Sequence, residues 1–365
     1  MIMRSKLIYM AGGGTAGHVN PNLALVEPLQ KAGFQVEYLG QKDEIEYGLA
    51  TEAGLVFHEV VSGRLNRGLN LWQNLRQNLP TPFRVVRGIG QAVRLIRRRR
   101  PALIFCKGGF VSLPVAVGGW LLRVPVILHE SDLTPGLANK LCAPFASRIC
   151  VTFEETLRYM PRRKTRYTGT PIRASLQQGS REKGFALTGL DPAGLPVLLV
   201  VGGSQGAGAL NDIVLQNLEA LCRRYQIVHL YGGEQSGFTP PQHKGYYAMA
   251  YAKSEMADLF AMTSVVLSRA GSNSINEFLL LRIPNILVPL PLTVSRGDQI
   301  LNAKHFKEKG FSYVLPQEEL TGKSLLSALD YVSAHRAEYQ AAMGGKDAKN
   351  GTAEVLREII AVASR

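Results

Sequence analysis

The hydrophobic pattern of this chain alternates between short apolar runs and longer stretches of helical periodicity. The runs have the length of buried strands, and glycine, proline or polar residues follow most of them. This alternation predicts parallel sheets with helices on both faces and ligands at the carboxyl ends of the strands. The runs form two sets, residues 6–10, 36–39, 103–105, 124–128 and 149–152 in the first half and residues 197–201, 227–231, 265–268 and 286–288 in the second.

The length of 365 residues and the two sets of runs predict two domains. We place the first at residues 1–172 and the second at residues 173–345, because the segment YTGTPIR at residues 167–173 has the glycine and proline of a domain crossing. A last helix, within residues 346–365, is expected to pack back on the first domain. The predicted fold is α/β, with two Rossmann-like, doubly wound parallel-sheet domains facing a central cleft.

Three glycine-rich turns join a predicted strand to a predicted helix. Glycine lets the backbone approach a ligand closely, and the N–H groups and positive dipole at a helix N-terminus favour an anion, usually a phosphate. Three such turns in one chain suggest two nucleotide-type units. Their sequences are GGGTAGH at residues 12–18, GGSQGAGALN at residues 202–211 and SRAGSNSINE at residues 268–277.

The composition indicates a globular protein of a reducing compartment. Hydrophobic residues make up 46% of the chain and charged residues 19%. The four cysteines are spread without CxxC pairs or matching histidines, which favours reduced, buried thiols. The chain opens without a secretory signal pattern, and its longest uncharged apolar run, residues 111–122, is too short to cross a bilayer. We therefore expect a protein that is soluble or peripheral to a membrane.

Positive charge is concentrated in the first predicted domain. Residues 1–172 hold 23 lysines and arginines against 11 acidic residues. Within them, residues 69–100 combine apolar side chains with arginines, a mixture that suits an anionic lipid surface. The alternative is the buried face of a helix followed by a solvated basic turn, residues 97–100. No nucleic-acid-binding motif accompanies the charge. The candidate membrane patch consists of Leu71, Trp72, Leu75, Leu79, Phe83 and Arg84.

Two residues at the glycine-rich turns could carry chemistry. His18 ends the first turn, where an imidazole could act as a general base near neutral pH or could simply cap or bridge the turn. Ser204 begins the helix after the second turn, where it could bind a pyrophosphate or serve as the N-cap. The second turn has neither the lysine of a Walker loop nor the glycine spacing of the dinucleotide fingerprint, which disfavours ATP hydrolysis and NAD binding.

Two acids in the second half could bind sugar hydroxyls. Glu277 could accept both hydroxyls of a ribose, or it could be an exposed helix acid or be neutralised by Arg269. Asp298, together with Gln299, could bind hydroxyls or cap a helix. The sequence has no Asp-x-Asp pair, HExxH or GxSxG motif, so we expect no metal and no other cofactor. A leaving diphosphate would then be stabilised by helix N-termini and an arginine such as Arg173.

Six segments, in order from near the start of the chain to about residue 311, resemble the MurG family. They are GGGTAGHVNPNLAL at residues 12–25, KGGFVSLP at 107–114, HESDLTPGLANK at 129–140, the second and third glycine-rich turns, and GDQILNAKHF at 297–306. The resemblance implies a GT-B glycosyltransferase of peptidoglycan synthesis, and so of cell-wall biogenesis, cell shape and cell division, at the cytoplasmic face of the bacterial membrane. Members of the family transfer N-acetylglucosamine (GlcNAc) with inversion from UDP-GlcNAc to the C4 hydroxyl of the muramyl sugar of lipid I, which yields lipid II and UDP.

The resemblance also implies roles for individual residues. His18 matches the proposed base, and Glu130 is the other candidate. The loops for the acceptor diphosphate match Gly13, Gly14, Gly108 and Gly109. The donor contacts match Thr15, Ala16 and Gly17, then Arg173 and Ser204 for the diphosphate, Ala252, Ser272, Asn273, Ser274 and Ile275 for the uracil region, Glu277 for the ribose, and Asp298 and Gln299 for the GlcNAc hydroxyls. The implied partners are UDP-GlcNAc, lipid I, an anionic membrane surface and other cell-wall synthesis proteins, without nucleic acid.

Two departures from the family pattern affect these contacts. Ala16 stands where the family often has glycine, and Ser131 and Asp132 stand where it often has glutamine and asparagine. Asp132 is therefore not among the expected donor contacts. Three other functions also fit the residues. One is a UDP-GlcNAc 2-epimerase of the same architecture, although the basic segment around Trp72 argues against it. The others are another membrane glycosyltransferase that uses a UDP-sugar, and a nucleotide-sugar sensor or scaffold without turnover.

Overall fold

A computed structural model describes residues 6–63, 78–203, 207–233, 239–345 and 347–364 of the chain. The chain divides into two compact units, one of Met1–Arg173 with Asn350–Arg365 and one of Ala174–Lys349. The first unit thus gives way to the second after residue 173 rather than 172, and the second ends at residue 349 rather than 345.

Strands and helices alternate through both units. The first unit has β1 (Leu7–Ala11), α1 (Ala16–Lys31), β2 (Gln35–Gly40), α2 (Ile45–Glu52), β3 (Val56–Glu59), α3 (Thr81–Arg99), β4 (Leu103–Cys106), α4 (Ser112–Leu121), β5 (Val126–Glu130), α5 (Leu137–Cys142), β6 (Arg148–Val151) and β7 (Thr165–Tyr167). The second unit has α6 (Arg181–Thr188), β8 (Val197–Val201), α7 (Gly208–Gln216), α8 (Leu218–Cys222), β9 (Gln226–Leu230), β10 (Tyr246–Met249), α9 (Met256–Met262), β11 (Val265–Ser268), α10 (Ser272–Leu281), β12 (Asn285–Leu287), α11 (Asp298–Glu308), β13 (Tyr313–Val314), α12 (Gly322–Ala334) and α13 (Arg336–Ala342). The chain then returns to the first unit with α14 (Thr352–Ala363).

Both sheets are parallel in all their described strand pairs. The strand order is β3-β2-β1-β4-β5-β6-β7 in the first unit and β10-β9-β8-β11-β12-β13 in the second. In each sheet the order turns back next to the first strand of the unit, β1 or β8. This switch point is where ligands bind in doubly wound folds. The predicted α/β fold with two doubly wound parallel sheets is therefore confirmed.

The central strands agree with the predicted apolar runs because they are buried on both faces, as parallel strands are. All five residues of β1 are buried. The edge strands β3, β7, β10 and β13 were not predicted, because most of their residues are partly or fully exposed and they carry no continuous apolar run.

Side chains of β1 alternate between two cores, one on each face of the first sheet. Ile8 packs in a cluster with Val355 and Ile359 of α14. Tyr9 packs on the opposite face, in a cluster that includes Ile96 of α3. Burying an apolar side chain of this size stabilises the fold by roughly 1.5–3 kcal/mol. The last helix is therefore an integral part of the first unit.

Candidate functional site

The site of the first unit begins where β1, β4 and β5, neighbours in the sheet, reach their carboxyl ends. The first glycine-rich turn follows β1, residues 107–109 follow β4, and residues 131–136 follow β5. Because the strands are parallel and adjacent, these three loops lie at one edge of the sheet.

The loops after β1 and β4 are in contact through glycine backbones. A methyl group in place of a hydrogen on Gly109 would lie 2.4 Å from the carbonyl oxygen of Gly13, and one on Gly108 would lie 3.2 Å from Cδ2 of His18. Gly108 and Gly109 also have positive φ angles of 108° and 78°. The structure therefore brings together His18 and three of the four glycines that were predicted to bind the acceptor diphosphate.

His18 lies half-buried in the first turn of α1, with one ring nitrogen turned back to the glycine-rich turn. Its Nδ1 is 2.9 Å from the carbonyl oxygen of Gly13 and 3.1 Å from Oγ1 of Thr15. A carbonyl oxygen can only accept, so Nδ1 carries a proton, and in the neutral imidazole Nε2 then carries the lone pair. The imidazole thus bridges the turn through Nδ1, as one sequence interpretation expected, and has the tautomer of a general base at Nε2.

The rest of the first glycine-rich turn forms the N-terminus of α1. Thr15 is the exposed N-cap, and Ala16 and Gly17 follow it as the first helical residues. The N–H of Gly14, however, donates a hydrogen bond of 2.9 Å to Oε2 of Glu46. In this geometry Gly14 does not offer its amide to a diphosphate.

Glu130 has a different environment from His18. Its side chain is 4% exposed, and its carboxylate accepts three hydrogen bonds. The donors are the N–H of Asp132 at 3.0 Å, the N–H of Gly136 at 2.9 Å and Nδ2 of Asn139 at 2.8 Å. Both carboxylate oxygens are engaged in holding the loop after β5.

Lys107 is buried at the end of β4 and donates a hydrogen bond from Nζ to Oγ of Ser131. Burial lowers the pKa of this lysine to about 8, although the nearby carboxylates of Glu130 and Asp132 act in the opposite direction. The serine and aspartate that depart from the family pattern therefore have a cationic neighbour at the end of β4.

In the second unit, the glycine-rich turn after β8 leads into α7. Gly203 has a φ of 90°, and Ser204 lies outside the described residues. Asn211 of α7 is fixed by an Oδ1 to Nε2 hydrogen bond of 3.0 Å with His229, whose Nδ1 is 2.9 Å from the hydroxyl of Tyr246. Burial lowers the pKa of His229 to about 4, so this bridge from α7 to β9 and β10 is neutral.

The third glycine-rich turn places the start of α10 directly after β11. Gly271 is the N-cap and has no side chain to cap the helix, so Ser272, Asn273 and Ser274 form its first turn. Ile275 is fully buried in the unit, so its side chain belongs to the core and only its backbone could contact a ligand.

Three further predicted donor contacts are half-buried in the structure, namely Glu277 on α10, Ala252 after β10 and Arg173 at the last position of the first unit. Arg269, which could have neutralised Glu277, donates from Nη1 to the carbonyl oxygen of Val288 at 3.0 Å.

Asp298 and Gln299 occupy the first turn of α11. The N-cap is Gly297, with a φ of 84°, so the capping role considered for Asp298 is wrong. Oδ1 of Asp298 is 3.2 Å from Nε of Arg296, and Oε1 of Gln299 accepts from the N–H of Leu290 at 3.2 Å.

Part of the candidate membrane patch lies outside the described residues, namely Leu71, Trp72 and Leu75. The remaining members are exposed: Leu79 is 69% exposed and Phe83 is 77% exposed, and Arg84 is also on the surface. The alternative, in which this apolar set is the buried face of a helix, is therefore wrong for Leu79. None of the described helices is long and apolar enough to cross a membrane.

Sequence reasoning missed two residues of the first-unit site, Glu46 and Lys107. An acid in the segment DEIE looks like any exposed helix acid, and the lysine was quoted only as part of a motif. Both residues are 99% buried by tertiary packing, and the local sequence pattern around each of them does not predict this burial. Within the described ranges, no group of three or more histidine, cysteine, aspartate or glutamate side chains is arranged to hold a metal ion.

Comparison with known proteins places both units in one family. The glycosyltransferase family 28 N-terminal domain matches residues 8–151, and the corresponding C-terminal domain matches residues 197–359. The UDP-N-acetylglucosamine–N-acetylmuramyl-(pentapeptide) pyrophosphoryl-undecaprenol N-acetylglucosamine transferase of Clostridium tetani is 44% identical over 354 residues, which cover 97% of each chain.

Solved structures show the same fold at lower identity. The crystal structure of Acinetobacter baumannii MurG superposes with a TM-score of 0.72 at 24% identity, over 97% of this chain and 99% of that one. A UDP-GlcNAc 2-epimerase from Neisseria meningitidis, bound to UDP-GlcNAc, has a TM-score of 0.67 at 12% identity, over 97% of this chain and 99% of that one. The fold is therefore GT-B, and on the identity to the curated relatives the chain belongs to the MurG family of glycosyltransferases.

Proposed function

We propose that this protein transfers GlcNAc from UDP-GlcNAc to the C4 hydroxyl of the muramyl sugar of lipid I, with inversion, to give lipid II and UDP. The assignment of these substrates is supported by the 44% identity to a curated transferase whose name includes both N-acetylglucosamine and N-acetylmuramyl. The observation that carries the chemistry is the 2.9 Å contact between Nδ1 of His18 and the carbonyl oxygen of Gly13, which selects the neutral tautomer with the lone pair on Nε2.

In the proposed reaction, Nε2 of His18 accepts the proton of the C4 hydroxyl as the oxygen attacks the anomeric carbon of GlcNAc. The bond from that carbon to the diphosphate breaks in the same displacement, so the configuration inverts. His18 is favoured over Glu130 as the base, because the Glu130 carboxylate is buried and already accepts three hydrogen bonds.

The acceptor and the donor would be bound by different units. The contacting glycine loops of the first unit, with Gly13, Gly108 and Gly109, would receive the acceptor diphosphate. In the second unit, the start of α10 would bind the uracil region, Glu277 the ribose, and Asp298 with Gln299 the GlcNAc hydroxyls. Negative charge that develops on UDP would be stabilised by helix N-termini and by Arg173, without a metal.

A peripheral position on an anionic membrane is also proposed. It is supported by exposed Phe83 and Leu79 beside Arg84, because aromatic and aliphatic side chains with arginines suit the lipid interface. The location at the cytoplasmic face and binding to other cell-wall synthesis proteins stay predictions.

The test is to incubate the protein with labelled UDP-GlcNAc and a short-chain lipid I analogue, with and without EDTA. We expect a disaccharide product and free UDP in both cases. His18→Ala should lower turnover by about 10²- to 10⁴-fold, the range of a general base, and leave UDP-GlcNAc binding unchanged. Release of N-acetylmannosamine from the donor alone would indicate an epimerase, and tight donor binding without any product would indicate a sensor or scaffold.

A further inference from the structure

A buried carboxylate lies behind the first glycine-rich turn, on the short helix α2. Glu46 is 1% exposed. Its Oε2 accepts the N–H of Gly14 at 2.9 Å and its Oε1 accepts the N–H of Gln41 at 3.1 Å. Within the described residues it makes no ion pair with a lysine or arginine. Burial raises the pKa of this carboxyl, and the two backbone donors oppose that shift.

Two glycines leave the room that this carboxylate occupies. A methyl group on Gly13 would lie 2.2 Å from Oε1 of Glu46, and one on Gly40 would lie 2.7 Å from its Cγ. No other residue type could stand at Gly13 without moving the acid, because real Cβ contacts are not found at this distance. The turn and the carboxylate therefore fit each other closely.

Glu46 and His18 bind the two ends of a single peptide group. The carbonyl oxygen of Gly13 and the N–H of Gly14 belong to the same peptide unit. The N–H donates to Glu46, and the carbonyl oxygen accepts from Nδ1 of His18. Hydrogen bonds in series polarise one another, so a carboxylate at the N–H end strengthens the bond at the carbonyl end.

We propose that Glu46 is a positioning residue for His18, acting through the Gly13–Gly14 peptide. It holds the turn so that the Gly13 carbonyl fixes the Nδ1–H tautomer, and its charge makes Nε2 a stronger base. In a serine protease triad an aspartate contacts the imidazole directly; here one peptide group stands between the acid and the imidazole. The inference rests on the proposed role of His18 as base.

Other charged groups near His18 come from the neighbouring strand ends. They are Lys107, which directly precedes Gly108, and Glu130, whose carboxylate binds Nδ2 of Asn139 beside Gly108; neither is changed in the variants below. A shift in the titration of His18 in those variants can therefore be assigned to position 46.

The first test compares Glu46→Gln with wild type in the transfer assay across pH. Glutamine keeps one acceptor but turns an NH₂ group towards the second N–H donor. We expect kcat to fall by roughly 10- to 100-fold, as for loss of an outer hydrogen-bond partner, with KM for UDP-GlcNAc unchanged. The acidic limb of kcat/KM should move down by about one pH unit, because removal of a nearby negative charge lowers the pKa of an imidazole. The matched control is Asp43→Asn, which removes an exposed acid three residues away and should change neither quantity.

A double-mutant cycle separates this role from a general structural one. In a His18→Ala background, Glu46→Gln should cause little further loss, since the group through which it acts is absent. An additive loss, or an unchanged pH profile in the single variant, would overturn the inference while His18 kept its role. Full turnover in His18→Ala would instead remove the proposed base itself.

A spectroscopic measurement needs no variant at position 46. In ¹⁵N-histidine-labelled wild type, with His18 assigned by its loss in His18→Ala, we expect a protonated Nδ1 and an unprotonated Nε2. The opposite tautomer would contradict the proposal even if Glu46→Gln failed to fold.

Discussion

Arg99, the last residue of α3, forms an ion pair with Glu37 on β2, and Nε2 of His58 lies 2.6 Å from the other oxygen of that carboxylate. The Glu37 side chain is only 6% exposed, whereas that of Arg99 is 47% exposed. Arg99→Ala would leave a buried carboxylate with one of its two partners. We expect the free energy of unfolding to fall by about 1–3 kcal/mol in urea titrations. Arg98→Ala is the control, and equal losses in the two variants would contradict this role of Arg99.

The arginine run at residues 97–100 is therefore not uniform. Arg97, Arg98 and Arg100 are exposed, and none of them pairs with an acid among the residues that the structure describes, so they are the residues through which to test binding to anionic lipid. Reversing these three charges while sparing Arg99 should weaken partitioning to vesicles of anionic lipid, at about 1 kcal/mol per residue near the surface. Activity on a short soluble acceptor should stay intact. Unchanged partitioning in a vesicle sedimentation assay would make these arginines an ordinary solvated surface.

Glu130 and His18 can be told apart by their pH profiles. Glu130→Gln replaces one acceptor oxygen by a donor that faces the N–H of Asp132 or the N–H of Gly136. We expect lower stability and a lower kcat through displacement of the loop after β5, but the acidic limb of kcat/KM should persist, because the base His18 is still present. Disappearance of that limb in Glu130→Gln, with its retention in a His18 variant, would assign the base to Glu130.

Lys107 should make stability depend on alkaline pH. Its folded-state pKa of about 8 lies below the ordinary value of 10.5, so the unfolded chain binds more protons between these two pH values. Stability must then rise with pH across this window, and the cost of burying the charged amine, roughly 3 kcal/mol, applies in full below pH 8. Relative to Lys107→Met, wild type should gain unfolding free energy from pH 8 to 10.5. A flat difference between the two proteins would contradict the burial of a charged lysine.

Gly109 offers a test of the contact between the two glycine loops. Gly109→Ala adds a methyl group 2.4 Å from the Gly13 carbonyl oxygen at a residue with positive φ. We expect a loss of about 1–3 kcal/mol in stability and a sharp fall in kcat, since the same carbonyl binds His18. Gly48→Ala is the control: its methyl group meets nothing within 4 Å in the middle of α2, so it should be neutral or stabilising. Similar effects of both substitutions on kcat would contradict the importance of the contact.

The sequence predicted those features of the fold and site that depend on local residue patterns, and not those that depend on contacts between distant elements. β1 and β8 were found because a strand buried on both faces is apolar throughout. His18 was found because the glycine-rich turn after β1 is a local feature of the sequence, whereas Gly108 and Gly109 were predicted only from the resemblance of KGGFVSLP to the family. Glu46 was not found, because its burial depends on Gly13 and Gly40, which lie outside its helix. The hydrophobic periodicity of α2 carries no information about those contacts.

Two residues were predicted in the correct turn but with an incorrect role for the side chain. The family resemblance grouped Ile275 with the contacts to the uracil region, yet its side chain is fully buried in the core. Asp298 was considered as a cap because acids favour helix starts, but the chain places Gly297 at the capping position. A motif therefore predicts which turn faces a ligand. Tertiary packing determines which atoms of that turn are available to contact the ligand.

The placement of α14 has a consequence for biosynthesis. Val355 and Ile359 complete the core around Ile8, but they follow the entire second unit in the chain. A ribosome must therefore have translated both units before the first sheet can bury one of its faces fully. Until then the part of that face that α14 covers is exposed in the nascent chain, while the second unit, whose residues are contiguous, can fold first.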